Sequence, residues 1–404
     1  MADVLKPRDE KDAEDAVVWA LSAGKALEVA GQGTKRAIGR PVQSDLTLDM
    51  SGLSGVTLYE PEELVLSARA GTPMREINDL VAASGQELAF EPADYGPLFG
   101  HAADAGTIGG AIATNLSGPR RIKAGAARDH FLGFTAVSGR GETFKSGGRV
   151  VKNVTGYDLC KLMAGAYGTL GAMTAVTVKT LPRAETEATL LLHALDDRRA
   201  VRVMADALGS ACDISAAAHV PAGPAARLDG LRAPAAVTLL RLEGVAPSVA
   251  HRMEMLTALT GTVGVSDVLP ADLSRPLWRA IRDVIPFADR GERPLWRIST
   301  APMQGPDLVE AVAQIAGGEY FYDWGGGLVW LLLPPLDDAG AERVHAATLR
   351  FGGHATLIRA PLAIRASVAV FPPQDAGLAA ITRRVKESFD PKGVFNPGRM
   401  WAGV

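Results

Sequence analysis

The chain has 404 residues, 47% of them hydrophobic and 22% charged, with a formal net charge of -3. That length implies two or three packed domains. The composition excludes disorder and membrane spans, and the slightly acidic balance leaves no basic field to attract a nucleic-acid backbone, so no nucleic-acid partner is expected. The polar start "MADVLKPRDEKDAEDA" is unlike a signal peptide, which makes the cytoplasm the expected compartment. Cys160 and Cys212 lie too far apart for a disulfide framework, a zinc spacing or an iron–sulfur ligand set.

Ala13, Ala16, Val17, Ala20 and Leu21 recur at helical spacing and predict an amphipathic helix ending near Gly24. "ALEVA" then reads as a buried strand leading into "GQGTKR". A dinucleotide fingerprint of the G-x-G-x-x-G kind fails there, because Arg36 stands where the third glycine belongs and Pro41 bars a following helix. A Gly-x-Gly-Thr loop can still cradle an anion in converging backbone N–H groups; a plain tight turn is the alternative. "DLTLDM" and "ELVLSARA" predict strands. Thr72 is the expected N-cap and Pro73 the first residue of a helix with Ile77, Leu80 and Val81 on one face, stopped by Gly85 and followed by a strand in "ELAF".

The stretch 91–134 is dense in small residues, and "TIGG" leading into "AIATN" predicts a short helix whose first N–H groups point at a second anion or a carbonyl. "FTAVSGRGETFKSG" reads as a hairpin, "GYDLCKLMAGA" as a helix, and "YGTLGAMTAVTVKTL" as a turn feeding a long strand. Two glycine loops and such a turn suit a large, extended cofactor held mostly by backbone atoms.

From about Pro182 the glycine loops cease. "TEATLLLHAL", "AAVTLLRLEG", "LWRISTA" and "GGLVWLLLP" predict strands; "RRAVRVMADALG", "APSVAHRMEMLTALTG", "GPDLVEAVAQIAG" and "AERVHAATLRFGG" predict helices. The pattern fits an antiparallel sheet with helices on one face, with Trp278, Trp296, Trp324 and Trp330 as core. The seven histidines include no H-x-H or H-x-x-x-H pair, so no metal site is expected. The tail "ITRRVKESFDPKGVFNPGRM" reads as a helix, a break at Asp390-Pro391 and a turn at Asn396-Pro397-Gly398.

"AGQGTK", "GTIGGAIATNLSGPRRIKAGAARDHFLGF", "GGRVVKNVTGYDLCKLMAGAYGTLGAMTAVTVKTLP" and "FDPKGVFNPGRM" together resemble the FAD-binding family of vanillyl-alcohol oxidase type, in the branch of FAD-linked hydroxy-acid oxidases that holds the FAD-binding E subunits of bacterial glycolate oxidases. The resemblance implies an α+β fold: a two-lobed FAD-binding domain over residues 1–182 (lobes about 1–55 and 56–182), an inserted α+β cap over 183–372, and a tail, 373–404, returning to the FAD domain. It implies that Gly31, Gln32, Gly33 and Thr34 give backbone N–H groups to the FAD pyrophosphate. Thr107, Gly109 and Gly110 would approach the flavin and ribityl chain, Thr114, Asn115, Ser117 and Gly118 would complete that wall, Gly168 and Met173 would pass the adenine end, and Asn396 and Arg399 would lie near the ring. Gln32 and Thr34 stand in the loop where some members carry a flavin-linking histidine, so noncovalent FAD is expected. His101 and His130, which flank the second motif, read as ordinary hydrogen-bonded histidines.

In such a family the cap offers a cation to a small 2-hydroxy acid. Arg279, Arg282, Arg297, Arg359 and Arg365 are available, and His354, five residues before Arg359, makes His354 and Arg359 the catalytic candidates. The implied function is an FAD-binding subunit of a glycolate oxidase complex, passing electrons to a second FAD-binding subunit and an iron–sulfur subunit, in the cytoplasm or at the inner membrane face through those partners. A self-sufficient FAD-dependent dehydrogenase and an inactive structural flavoprotein subunit stay open as alternatives.

Overall fold

Asp9 starts the first helix, Glu10–Ala23, by accepting the Asp12 N–H at 2.8 Å, and Gly24 ends it with φ at 63°. These details come from a computed structural model, which describes all residues except 1–2, 150–155, 232–234 and 290, together with the side chains of 314–316. Residues 150–155, part of the third resembling motif, therefore lie outside the described residues. The chain divides into two compact units. One comprises Met1–Ser117, Ala126–Arg183 and Pro373–Val404, the other Gly118–Gly125 and Ala184–Pro372.

In the first unit the helix buries Ala13, Val17 and Ala20 with Leu27 and Leu48 of a three-stranded parallel sheet, ordered Asp3–Leu5, Leu46–Asp49, Leu27–Ala30. Each fully buried Val or Leu there contributes about 1.5–3 kcal/mol. The chain's far end joins this sheet: Leu27 donates to the Val394 carbonyl at 2.7 Å and Asn396 donates to the Leu27 carbonyl at 2.9 Å. Lys386 of the helix Ala376–Phe389 locks that end. Its buried ammonium pairs with Asp390 at 2.7 Å and donates to the carbonyls of Thr169 and Phe395, and burial pushes its pKa down against the pull of Asp390.

A second sheet of the same unit is antiparallel, ordered Val56–Glu60, Val65–Arg69, Ala172–Lys179, Phe131–Val137, Thr143–Gly147. The helices Met74–Ala83 and Ile108–Thr114 bury Ile77, Val81, Ile108 and Ile112 with its Leu66, Phe134 and Val176. Local chemistry shifts some predicted boundaries. The Thr72 hydroxyl donates to the carbonyls of Arg69 at 2.6 Å and Gly55 at 3.2 Å, so it caps nothing and the helix starts after Pro73. "ELAF" shrinks to the strand Gln86–Glu87, paired with Leu181–Pro182, and the helix expected over 156–166 is only Leu159–Met163.

The second unit is built on one antiparallel sheet of eight strands, ordered Ser266–Leu269, Thr186–His193, Val237–Gly244, Ala216–Val220, Glu319–Asp323, Leu328–Leu332, Leu295–Ser299, His354–Arg359. Its Leu190, Leu192 and Leu240 pack under the helices Asp197–Leu208 and Ala246–Thr260 through Val201, Met204 and Leu256. On that same face Trp296 donates to the Ala339 carbonyl at 2.8 Å and meets His345 edge-on. The alternate face carries the helix Ala271–Arg282, which the periodicity missed because Pro276 interrupts it. Trp278 of that helix donates to Thr189 Oγ1 at 2.8 Å and lies under the Arg241 guanidinium. Gly118–Gly125 reaches the same face through the ion pair of Arg120 with Glu243 at 2.9 Å.

Candidate functional site

The strand Leu27–Ala30 runs into a loop whose residues Gly31 to Arg36 line one wall of a cleft partly open to solvent. Among the described residues, the backbone N–H groups of Gly31, Gln32, Gly33 and Thr34 find no acceptor in the protein. Gly33 bends the loop with φ at 79°, a conformation that costs an L side chain about 1–2 kcal/mol. Consecutive N–H groups left in this way form an anion cradle. Lys35 adds positive charge: its Nζ lies 3.2 Å from where a Cβ on Gly106 would stand.

The opposite wall is pressed onto this loop. A Cβ on Gly31 would come within 2.6 Å of Thr107 Oγ1, and one on Gly109 within 2.7 Å of the Ala70 carbonyl oxygen, so both glycines allow close backbone approach. Of the two targets expected for the first N–H groups of the helix Ile108–Thr114, the carbonyl is the one found. Ile108 donates to Thr72 O at 3.0 Å and Gly109 to Ala70 O at 2.8 Å, while Gly110 donates to Thr107 Oγ1 at 3.2 Å. These groups are used up inside the protein, and the anion cradle is the loop at 31–34.

The third wall is the turn Tyr167-Gly168, where both residues have positive φ, 52° and 72°. Asn396 ties this turn to the first wall: its Oδ1 accepts the Val29 N–H at 2.8 Å and its Nδ2 donates to the Tyr167 carbonyl at 2.7 Å. Arg399 clamps the glycine loop, donating to the carbonyls of Lys35 at 3.2 Å and Arg36 at 3.1 Å and facing the buried Glu28 at 3.4 Å. Glu28 also holds Arg36, which keeps the Arg36 guanidinium more firmly protonated than usual through their hydrogen bond.

Of the residues expected at a cofactor, Gly31, Gln32, Gly33, Thr34, Thr107, Gly109, Gly110, Thr114, Gly168, Met173 and Arg399 line this cleft. Four do not. Asn115 ends its helix with φ at 48° and accepts the Arg128 N–H, Ser117 accepts the Ala127 N–H at 2.9 Å, Gly118 belongs to the second unit, and Asn396 acts from behind the wall. Sequence reasoning missed Lys35 and Tyr167, although Tyr167 directly precedes a glycine already singled out.

In the second unit, His354 and Arg359 share a strand and are not brought together. The Arg359 guanidinium is committed to the carbonyls of Phe287 at 2.9 Å and Arg293 at 3.3 Å, and burial lowers its pKa to about 10. His354 has Arg297 and Arg121 as its charged neighbours; partial burial first, then those two guanidiniums, push its pKa below the usual imidazole value. His101 is exposed, while His130 is buried against Phe90. Among the described residues, no group of three or more His, Cys, Asp or Glu could hold a metal ion, and no helix is long and apolar enough to cross a membrane.

Comparison with known proteins agrees with the cleft. An FAD binding domain family matches residues 2–147, and the C-terminal domain of FAD linked oxidases matches residues 374–400. The chain is 34% identical over 392 residues to glycolate oxidase subunit GlcE of Escherichia coli, covering 96% of each chain. It is 30% identical to glycolate oxidase subunit GlcD of Bacillus subtilis over 46% of this chain and 38% of that one. Among solved structures, 4-ethylphenol oxidase from Gulosibacter chungangensis shares the fold, with a TM-score of 0.72 at 14% identity over 99% of this chain and 89% of that one. The open N–H cradle, the cation beside it and the tail that braces both walls fit FAD, and with GlcE matched along nearly its whole length the chain belongs to the FAD-linked oxidase family that includes the glycolate oxidase GlcE subunits, as an FAD-dependent oxidoreductase.

Proposed function

We propose that this chain carries noncovalent FAD within a complex that oxidises glycolate or a related 2-hydroxy acid, and that it relays electrons to a second FAD-binding subunit and an iron–sulfur subunit. The observation that supports the reading most is the likeness to GlcE over 96% of both chains, joined to a cleft whose glycine loop leaves four successive N–H groups open. When bound, the flavin supplies acceptance of a hydride equivalent and its onward release as electrons.

In this reading Gly31, Gln32, Gly33 and Thr34 hold the pyrophosphate, and Lys35 offsets its charge. Thr107, Gly109, Gly110, Thr114, Gly168 and Met173 form the remaining walls, while Asn396 and Arg399 keep those walls in register. Asn115 and Ser117 brace the turn behind the helix Ile108–Thr114. His354 and Arg359 form no pair: Arg359 is a positioning residue for its strand, and only in the alternative in which the chain oxidises the acid itself would His354, neutral near pH 7 because its pKa is depressed, be the proton acceptor. The place of action is the cytoplasm, at the inner membrane face through the partners.

Anaerobic mixing of the isolated chain with glycolate and D-lactate, followed by flavin bleaching, tests the relay. Slow bleaching alone and rapid bleaching once the partner subunits are added is the expected result. Rapid bleaching in isolation, abolished by His354→Ala, overturns the relay and makes the chain a dehydrogenase in its own right. Acid precipitation should release the flavin into the supernatant.

A further inference from the structure

The buried ion pair at the chain's far end lies outside the cofactor cleft, yet it reaches two of the cleft's walls. Lys386 is 5% exposed and Asp390 2%, and neither lines the cleft. All three protons of the Lys386 ammonium are used: on Asp390 Oδ2 at 2.7 Å, on the Thr169 carbonyl at 2.7 Å and on the Phe395 carbonyl at 2.8 Å. Thr169 directly follows the turn Tyr167-Gly168, and Phe395 directly precedes Asn396, which bridges that turn to the strand Leu27–Ala30. The Asp390 carboxylate accepts the backbone N–H groups of Val394 at 2.9 Å and Phe395 at 2.8 Å, and Asn396 donates its own to Leu27.

Desolvation offsets most of the attraction within a buried ion pair, so stability alone is a weak reason to keep one. What this pair fixes is register. One ammonium ties the turn to the segment 390–396, and Asn396 ties the same turn to the strand that feeds the glycine loop. The fit is close, because a Cβ on Gly168 would lie 2.6 Å from Asn396 Nδ2. Three residues further on, Arg399 holds the glycine loop itself through the carbonyls of Lys35 and Arg36. A ligand that touches both the loop and the turn therefore binds the docked tail better than a displaced one. By linkage, occupancy favours docking as much as docking favours occupancy.

We propose that Lys386 and Asp390 are positioning residues for the cofactor: their pair latches residues 390–399 against the two walls, so that docking of the tail and occupancy by FAD are coupled. The latch rests on the assignment of FAD to the cleft and not on the electron relay. It acts through the Thr169 and Phe395 carbonyls, with no contact of its own to the cofactor.

Hydrogen exchange of the unmodified chain, with FAD and after flavin stripping, tests this without turnover. FAD should slow exchange at the Val394, Phe395 and Asn396 N–H groups by about fivefold or more. The helix Glu10–Ala23 of the same unit should change less. Those three residues do not line the cleft, so protection there reports the latch and not cover by the cofactor. The double variant Lys386→Met/Asp390→Asn removes both charges and strands neither. It should release FAD about fivefold faster or more on dilution, followed by flavin fluorescence, and lose the FAD-dependent protection at 394–396. Equal protection of tail and helix, none at the tail, or an unchanged release rate in the folded double variant overturns the latch. An unmodified chain that binds no FAD overturns the cofactor assignment instead, which separates the two failures.

Discussion

Replacing Gly31 by alanine tests whether close contact between the two glycine loops sets the affinity for FAD. Gly31 has no left-handed φ, so alanine brings no backbone strain, and its one serious conflict is a Cβ 2.6 Å from Thr107 Oγ1. Thr107 is 3% exposed and its hydroxyl caps the helix Ile108–Thr114, so it has little room to yield. Overpacking of this kind costs about 1–3 kcal/mol, which corresponds to a rise of about 5- to 150-fold in the FAD dissociation constant if the loops are forced apart. Thr107→Ala alone loses the cap, about 0.5–2 kcal/mol. It also removes the atom that alanine at 31 would strike. The double variant should therefore bind FAD about as well as Thr107→Ala alone, giving a favourable coupling of about 1–3 kcal/mol in the cycle. Titrating FAD into the flavin-stripped proteins while following flavin fluorescence measures all four affinities. Losses that simply add would refute the contact as the cause.

Gly33→Ala should cost about 1–2 kcal/mol through its φ of 79°; its nearest neighbour, Arg36 Cδ at 3.5 Å, adds nothing, and absorbance of the purified variant should report a marked loss of flavin that full content would contradict. Asn396→Ala removes the bridge between Val29 and Tyr167 at a site 1% exposed, leaving buried groups unpaired at about 1–3 kcal/mol each, so both Tm and FAD affinity should fall. Asp197 gives a pH signature: burial raises its pKa, but hydrogen bonds with His219, Tyr320 and Tyr322 together outweigh that and hold it below the usual carboxylate value. A depressed folded pKa contributes stability above the unfolded value of about 3.9 and loses it as pH falls through the folded one. Urea midpoints of the chain and of Asp197→Asn should thus differ at pH 7 and converge below about pH 4, and a gap unchanged in acid would be the contrary result.

Short-range chemistry made much of this protein legible from its residues. Helical spacing located Glu10–Ala23, the glycines marked the loop at 31–34, and the alternation of apolar residues located the strands Leu46–Asp49 and Thr186–His193. Those signals are local because caps, turns and amphipathic faces act within a few residues of one another. The strands Ala216–Val220 and Glu319–Asp323 escaped notice, since an alanine-rich or short segment becomes a strand only when neighbours hydrogen-bond to both its edges. Long-range closure decided the rest. Asn396 meets Val29 across 367 positions of sequence, Gly31 meets Thr107, and Arg121 shares an indole with Arg297. No periodicity encodes such meetings, because they depend on which surfaces burial and hydrogen bonding bring together once the elements have formed. The same closure turned the first N–H groups of the helix Ile108–Thr114 to Thr72, Ala70 and Thr107, leaving the loop at 31–34 as the anion cradle, and committed the Arg359 guanidinium to backbone carbonyls.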